Sequence, residues 1–468
     1  MKNKIILVNP PYQYFSAKNQ LNYNRPPLGL LYIAASLEKN LKINVDVLDA
    51  YAENLSAAEI KARLKNYNII GFSVTTPTAE TVKIICQEIK RENKSAFVFV
   101  GGPHITLCPQ SLAAAADCSI IGEGEITICA VLKNYLQGGT NYNISGAFLN
   151  INGKIIQNRP RAYCQNLDEL PFPDRTKIKM NTYNHVFNYG VASHRFTTLL
   201  TSRGCAYNCH FCASQKLWGT VRRRSAPNVL AEIKQALDQG YQLIFFDDDN
   251  LLENRKYLNE LCRHILAEKL KFKWICHARI ADYPPRLLQL MRQAGCVEVQ
   301  IGVESFNQKA LNAINKKINV QHISACIKNF QKHKINVWAT IVVGLPEDDE
   351  DSFKTTVRKL IKADPFYATF IMLFPFPGTQ IYEQYKQQHL LERVDYAGYS
   401  WHDAPVFHTP KLSTQQLNKL RRHAYLKFYL RPASLLKYLF AAIKYNMYKD
   451  IFLNFVRFLY FTPASRQD

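Results

Sequence analysis

Short apolar runs alternate with amphipathic segments along most of this chain, and this alternation constrains its fold more than any other feature of the sequence. In residues 1–140 the apolar runs are IILVN, VDVLDA, IIGFSV, AFVFVGG and SIIGEGE, with helix-like stretches such as TAETVKIICQEIKREN between them. Strands that alternate with helices form parallel βαβ units. The pattern therefore predicts an α/β domain with an open, doubly wound parallel sheet of the Rossmann or flavodoxin type.

A second strand–helix series begins at FTTLLTSRGC and continues through LIFFDDD, KWICHARI, VEVQIGVES, VWATIVVGLP and ATFIMLFPF. This series predicts a partial, TIM-like (β/α)6 barrel, whose chemistry lies on the loops that follow the strands. We therefore expect a first α/β domain in residues 1–140, a linker containing LDELPFPDR in 141–195, the barrel in 196–400 and a basic helical segment in 401–468.

The strands of the first domain end in small or glycine-rich sequences. Ligands of doubly wound sheets bind beyond the carboxyl ends of the strands, and small residues let a bulky ligand approach closely. The candidate ligand-binding residues at these ends are Ser73, Thr75, Gly101, Gly102, His104, Gly122 and Glu123.

The cysteines indicate the compartment. The apolar N-terminus is too short to span a membrane and lacks the cleavage site of an export signal. Twelve cysteines without such a signal favour a reducing environment, so we expect a cytoplasmic protein without disulfides. Most of them stand singly in apolar runs, where a free thiol packs as a small hydrophobe.

One group of cysteines is clustered, in TSRGCAYNCHFCASQ. Cys205, Cys209 and Cys212 form a Cys-x3-Cys-x2-Cys array directly after the first strand of the barrel series. Three thiolates can hold three irons of a cubane and leave the fourth iron open to another ligand. A structural zinc site is the alternative, with His210 as a fourth ligand, but the ring would have to fold back between two ligands.

This motif, with the aromatic Phe211 before its third cysteine, resembles the signature of radical S-adenosylmethionine (SAM) enzymes. The resemblance implies a [4Fe-4S] cluster on the three cysteines and reductive cleavage of SAM to a deoxyadenosyl radical. It also implies a reductase or flavodoxin-type electron donor. By their order and spacing, the residues implied to contact SAM are Phe211, Asp247, Asp248, Arg279, Glu304 and Gly344. Helix capping, a salt bridge and a plain turn are the structural alternatives for Asp247–Asp248, Glu304 and Gly344 respectively.

The first domain resembles that of cobalamin-binding radical SAM proteins, in RPPLGLLYIAASL, GFSVTT, GGPH, GEGE and LPFPDR, in that order. The resemblance implies that the seven strand-end residues named above contact cobalamin. One departure is that the loop after the first strand reads NPPYQYF, without the Asp-x-His-x-x-Gly motif that supplies a lower axial histidine. The alternative is a scaffold domain that no longer binds cobalamin.

These resemblances predict a class B-like methyltransferase that methylates an unactivated carbon of a small-molecule or lipid-like substrate. A cyclisation or rearrangement without methyl transfer uses the same parts and stays open. A methylthiotransferase-like RNA enzyme fits less well, because Cys86, Cys108, Cys118 and Cys129 are spaced too irregularly for a second cluster. A cluster- or corrinoid-binding regulatory protein would leave the SAM contacts without a role.

The formal net charge of +22 suggests anionic partners, and the segment from Lys411 onward carries eleven Lys and Arg against two Asp. Because this segment reads as helical and not as an RNA-binding β-barrel, we do not expect a nucleic-acid partner. Leu435, Leu436, Leu439, Phe440 and Ile443 share one helical face. We expect this face to pack on the barrel, and a peripheral contact with a membrane is the alternative.

Overall fold

The computed structural model describes residues 3–11, 25–185, 187, 189–192, 195–393, 396, 399 and 405–445. Within them, the predicted α/β architecture is confirmed: two parallel sheets follow one another along the chain, and helices close the C-terminal end.

The first sheet has seven strands in the order β2-β1-β3-β4-β5-β6-β7. Its elements are β1 (Ile5–Asn9), α1 (Leu28–Leu41), β2 (Val45–Asp49), α2 (Ala57–Leu64), β3 (Ile69–Ser73), α3 (Ala79–Glu92), β4 (Phe97–Gly101), α4 (Pro103–Leu107), β5 (Cys118–Ile120), α5 (Gly124–Leu136), β6 (Ala147–Ile151) and β7 (Lys154–Gln157). β1 pairs in parallel with both β2 and β3, so the strand order reverses at this point. Separate apolar clusters cover the two faces of the sheet.

The first sheet extends beyond the predicted domain boundary at residue 140. β6 pairs antiparallel with β5, and β7 pairs antiparallel with β6. The alternating pattern of a hairpin is weak here, since every residue of β7 is at least partly exposed. Further along the 141–195 segment, short 3-10 turns lie at Leu167–Glu169, Arg175–Lys177 and Met180–Thr182.

The second sheet has six parallel strands in the order β15-β14-β13-β12-β11-β8 and forms the partial barrel. Its elements are β8 (Phe196–Leu199), β9 (Ser202–Arg203), α6 (Ser214–Trp218), β10 (Arg222–Arg223), α7 (Ala226–Asp238), β11 (Leu243–Phe246), α8 (Arg255–Ala267), β12 (Lys273–Ala278), α9 (Pro285–Gln293), β13 (Cys296–Glu304), α10 (Gln308–Ala313), α11 (Val320–Lys332), β14 (Asn336–Val343), α12 (Glu350–Ala363), β15 (Tyr367–Met372) and α13 (Gln380–Gln387). β9 and β10 form a separate antiparallel pair beside the cysteine loop.

Two C-terminal helices follow, α14 (Thr414–Tyr429) and α15 (Pro432–Tyr445). α14 packs on α12 and β15. α15 is held by one side only: Lys437 reaches Asp364 at 2.7 Å and the Tyr438 hydroxyl donates to the Phe366 carbonyl at 2.7 Å. The expectation that the apolar face of α15 packs on the barrel is wrong, because its five large side chains are between 47% and 67% exposed. The tyrosines and alanines on the opposite side pack on the barrel instead.

Candidate functional site

The three motif cysteines lie on the loop that follows β8 and β9. Cys209 is buried, Cys205 is half-buried and Cys212 is exposed. Burial raises the pKa of the Cys205 thiol. Bonding to iron would reverse this, because metal ligation deprotonates a thiol outright. The backbone N–H of Ser214 also points at the Cys212 sulfur, 3.5 Å away.

The loop fits a cubane better than a single zinc ion. In the described part of the chain, no set of three or more His, Cys, Asp or Glu side chains converges on one metal position. The ring of His210, the alternative fourth zinc ligand, is oriented through its Nδ1, which lies 3.0 Å from the Ala313 carbonyl. A cubane needs only one thiolate on each of three separate irons, which three loop cysteines can provide.

The acidic residues after β11 have separate partners. Asp247 pairs with Arg25 at 2.5 Å and lies 3.6 Å from His277. Burial raises the pKa of Asp247, but Arg25 and His277 hold it below its usual value. Asp248 accepts hydrogen bonds from the Thr201 backbone and from the Thr201 and Ser202 hydroxyls, so its carboxylate anchors the chain before Cys205.

Arg279 and Glu304 lie close to the cysteines but have internal partners. Arg279 donates from Nη1 to the Cys209 sulfur at 3.3 Å, and its guanidinium stacks on the Tyr207 ring at 3.7 Å. Glu304 is buried and accepts from Lys316 Nζ at 2.5 Å. Its φ of 63° is uncommon for a non-glycine residue and coincides with an irregularity in the pairing of β13 with β14. Such strain is typical of functional sites.

Two other predicted SAM contacts are more peripheral. The half-buried Phe211 packs against the main barrel core, with Lys316 Nζ 6.0 Å from its ring centroid. Gly344 has a φ of 87°, and a Cβ there would lie 2.8 Å from the Phe407 ring. The backbone at Gly344 is therefore packed against the C-terminal segment, so a side chain at this position would disrupt that contact.

The carboxyl edge of the first sheet is formed by glycines with little side-chain cover. Gly102 has φ 102° and ψ −175°, and a Cβ there would lie 2.9 Å from the Val74 carbonyl. A Cβ at Gly101 would be 3.4 Å from Ile120, while Gly122 (φ 76°) has nothing within 4 Å of that position. Ser73 ends β3, and the Thr75 hydroxyl lies 3.2 Å from the Thr78 hydroxyl.

His104 is the clearest sign of an unfilled polar contact at this edge. Its Nδ1 lies 3.2 Å from the Thr76 hydroxyl, and its ring meets Tyr396 edge-on at 4.5 Å. Its Nε2 is buried and, among the described residues, has no hydrogen-bond partner. Burial lowers the pKa of His104 to about 4, so the ring is neutral near pH 7. A buried polar atom of this kind is usually satisfied by water or a ligand. This edge, with its small residues and one unsatisfied polar atom, fits a bulky corrinoid.

Glu123 does not face this open edge. Its carboxylate accepts from Arg203 and Arg222, which both lie in the β9–β10 pair. Arg25, Lys316, Arg203 and Arg222 were missed at the level of the sequence. Arg25 and Arg203 lie inside the RPPLGL and SRGC segments that carried the resemblance, so the signal was present, but their partners are distant along the chain.

Two family models match the chain. One matches most of the domain that contains the first sheet, and the other matches most of the barrel. The model described as "B12 binding domain" matches residues 18–132, and the model described as "Radical SAM superfamily" matches residues 199–360. The first range covers α1 to α5, and the second covers the cysteine loop through most of α12.

Several known proteins are similar over most of this chain. An uncharacterized methyltransferase of Pyrococcus horikoshii is 30% identical over 93% of this chain and 95% of its own length. An anaerobic magnesium-protoporphyrin IX monomethyl ester cyclase of Cereibacter sphaeroides is 25% identical over 92% of this chain and 71% of its own length. The structure of the radical SAM methyltransferase TsrM from Kitasatospora setae, with cobalamin and a [4Fe-4S] cluster bound, is 18% identical, with a TM-score of 0.67 over 83% of this chain and 75% of that one.

The fold and the matches define a radical SAM enzyme with an N-terminal B12-binding domain. This chain belongs to that family, as the Pyrococcus horikoshii relative shows over nearly the whole length of both proteins. The radical SAM match implies a [4Fe-4S] cluster, SAM and a source of electrons, and the B12-binding match implies cobalamin.

Of the helices in the described ranges, none combines the length and the apolar character needed to cross a bilayer.

Proposed function

We propose that this protein is a cobalamin-dependent radical SAM methyltransferase that methylates an unactivated carbon of a small molecule. The observation that carries the proposal is the contact between the carboxyl edge of the first sheet and the cysteine-bearing end of the barrel. α4, which follows the glycines of β4, packs against α6, which follows Cys212. His104 of α4 also contacts Tyr396, beyond the last barrel strand.

In this proposal Cys205, Cys209 and Cys212 hold the cluster, and Arg279 and Glu304 hold SAM beside it. Arg279 brings a guanidinium next to Cys209, which suits the carboxylate of SAM. For an ammonium or ribose group to reach Glu304, Lys316 must share or release that carboxylate.

At the first sheet, Gly122 has nothing within 4 Å of its Cβ position, Gly101 and Gly102 bring backbone without side chains to the edge, and His104 Nε2 provides a polar contact. When bound, cobalamin carries the methyl group, and the cluster with SAM supplies the radical chemistry. The task of the protein is to position these groups and to exclude water between the two edges.

The test is anaerobic reconstitution of the full chain with iron, sulfide and hydroxocobalamin, followed by incubation with SAM and titanium(III) citrate. We expect a [4Fe-4S] cluster, about one cobalamin per chain, and both S-adenosylhomocysteine and 5′-deoxyadenosine as products. A protein that binds a cluster but no cobalamin and forms no S-adenosylhomocysteine would contradict methyl transfer. Deoxyadenosine and cobalamin without S-adenosylhomocysteine would favour a cyclisation or rearrangement.

The exposed face of α15 supports a second element of the proposal, a peripheral contact with an anionic membrane that would bring a lipid-like substrate to the site. Leu435, Leu436, Leu439, Phe440 and Ile443 form this apolar face. α15 contains no acidic residue, and Lys444 directly follows Ile443 of the face, while Arg431 and Lys437 pair with Asp364 on the side of the helix that packs on the barrel. An apolar face bordered by cations is typical of helices that lie in the headgroup region of anionic lipids.

Flotation of the protein with vesicles tests this contact. We expect binding to vesicles that contain phosphatidylglycerol and much weaker binding to pure phosphatidylcholine. Phe440→Gln should reduce binding, while Leu266→Gln, at an exposed leucine on α8, should not. Unchanged binding by the Phe440 variant, or a stable dimer that buries this face in solution, would contradict the proposal.

A further inference from the structure

The GEGE segment, which the sequence places with the ligand-binding residues, joins the two sheets through a buried network of ion pairs. Arg203 donates to Glu123 at 2.8 Å and to Glu125 at 2.5 Å. Arg222 donates to the same Glu123 carboxylate at 2.8 Å and 3.0 Å. These four side chains are at most 8% exposed.

The network is balanced in charge, with two carboxylates against two guanidiniums. Burial by itself would raise the pKa of Glu125, but Arg203 holds it below its usual value, so the carboxylate stays charged. Removal of one member of such a network leaves a buried charge without a partner, which is strongly unfavourable. The four residues therefore act as one unit.

This unit lies on a short, stiff route between the two cofactor sites. On one side, Glu123 directly follows Gly122 at the open edge of the first sheet, and Gly124 packs so closely that a Cβ would lie 2.7 Å from Ile33 of α1. On the other side, Arg203 is separated from Cys205 only by Gly204, where a Cβ would lie 3.1 Å from the Thr220 carbonyl. Gly124 and Gly204, the glycines next to Glu125 and Arg203, are therefore both closely packed.

Aromatic rings from both domains lie next to the two guanidiniums of the network. The Arg203 guanidinium lies 5.5 Å from the ring centroid of Tyr32 on α1 and 5.6 Å from that of Trp218 on α6. Arg222 lies 4.8 Å from the Tyr163 ring and donates to the Cys164 carbonyl at 2.7 Å. Arginines that are both ion-paired and stacked lose most of their rotamer freedom, so the geometry is held from several directions.

We propose that Glu123, Glu125, Arg203 and Arg222 form an interdomain clamp that sets the separation between the corrin and the iron–sulfur cluster. The proposal rests on the proposed function, since it requires both cofactors to be bound. The four are positioning residues: they act through Gly122 on the cobalamin side and through Cys205 on the cluster side. A defined separation matters because a misplacement of about 1 Å between reacting groups can reduce a rate about 100-fold.

The experiment measures this separation directly in the reconstituted full chain, by pulsed electron paramagnetic resonance of cob(II)alamin and the reduced cluster. We expect a single narrow distance distribution for the wild-type protein. Glu125→Gln should broaden or shift it while the iron and cobalamin contents per chain stay the same. The control is Glu350→Gln, which removes a surface ion pair with Lys354 and should leave the distribution unchanged.

An unchanged distribution in E125Q would overturn the clamp, as would a parallel loss of cobalamin, which would make Glu125 part of the cobalamin site. If E125Q does not fold, Arg222→Lys replaces it, because lysine keeps the charge but cannot bond both Glu123 and the Cys164 carbonyl in the same fork geometry. Failure of the wild-type protein to bind cobalamin would overturn the proposed function, and the clamp with it. If the wild-type protein binds both cofactors and forms S-adenosylhomocysteine normally, the proposed function stands, and the result for the variant tests the clamp alone.

Discussion

The two sheets of this protein meet at their carboxyl edges, yet they present opposite chemistry there. The edge of the first sheet consists of Gly101, Gly102, Gly122 and a neutral His104. The edge of the barrel carries Asp247, Asp248, Arg279 and Glu304, with Arg25 and Lys316 paired to them. The first edge is therefore lined by small, uncharged groups, and the barrel edge is lined by charged side chains.

The difference follows from the ligands that each edge would hold. A corrinoid brings its own metal and macrocycle, so the protein mainly needs to make room for it and to cover its polar atoms. SAM carries a carboxylate and an ammonium on its methionine part, and fixed charges can bind both of these groups. Substitutions at the barrel edge should therefore affect SAM and the cluster, and substitutions at the first edge should affect cobalamin.

The largest expected effect comes from Cys209→Ala, at the buried cysteine of the motif. Loss of one of three thiolate ligands should leave the cluster incomplete and abolish deoxyadenosine formation, because each of the three thiolates binds a separate iron of the cubane. Cobalamin binding should persist if the two edges are separate. Iron, sulfide and corrinoid per chain are the measurements, with the half-buried Cys129→Ala as the control. Full SAM cleavage by the variant would break the assignment of the cluster.

A smaller effect is expected from Arg279→Leu. The guanidinium next to Cys209 is replaced by a shorter apolar side chain, so a charge-assisted contact worth about 2–3 kcal/mol is lost, and SAM should bind roughly 30- to 150-fold more weakly. Equilibrium binding of SAM to the reconstituted protein measures this, with corrinoid content as the internal control. SAM affinity within a factor of about two of wild type would show that Arg279 serves the cluster loop only.

The contrast between the edges was partly visible in the sequence. The alternation of strands and helices predicted both sheets, and the Cys-x3-Cys-x2-Cys spacing predicted the cysteine loop, because both depend on residues close together in the chain. The sixth and seventh strands of the first sheet were not predicted, since both lie beyond the predicted boundary at residue 140 and the partly exposed residues of β7 lack a clear period.

Partners across the domain interface could not be predicted in the same way. Asp247 pairs with Arg25, which lies 222 positions away, and Glu123 pairs with Arg203, which lies 80 positions away. Such pairs depend on how the two sheets dock, and no local pattern in the chain reports it. For the same reason the exposed face of α15 was expected to pack on the barrel, although helical periodicity says only that an apolar face exists.

The close packing of Gly102 at the first edge predicts a sharp penalty for Gly102→Ala. Its φ and ψ lie in a region that only glycine adopts readily, and the new Cβ would meet the Val74 carbonyl at 2.9 Å. We expect a loss of about 3 kcal/mol in the free energy of unfolding and a clear drop in bound cobalamin. Gly153→Ala is the matched control, because Gly153 also has a positive φ, of 85°, but nothing lies within 4 Å of its Cβ position. Equal losses in the two variants would show that the close approach at Gly102 is unimportant.

The smallest effect concerns His104 and the pH dependence of stability. Its pKa falls from 6.5 to about 4 on burial, so the unfolded chain binds a proton more readily than the folded chain between these values. The contribution of His104 to the free energy of unfolding is therefore fully present above about pH 6.5 and is lost as the pH falls towards 4, by about 2 kcal/mol between pH 7 and pH 5.

Denaturant unfolding of the protein without cofactors, at pH 7 and pH 5, measures this contribution. His104→Gln should lose about that much of the pH dependence, whereas the exposed His264→Gln should not. If the slope survives in His104→Gln, the ring is solvated in solution and the first edge is less closed than the structure shows. The alternative outcome is that the pH dependence of the unfolding free energy disappears in His104→Gln, with cobalamin restoring the unfolding free energy at pH 5 only in the wild-type protein. In that case the neutral His104 ring is a cobalamin contact. The contrast between the uncharged first edge and the charged barrel edge then depends on the Nε2 atom of His104.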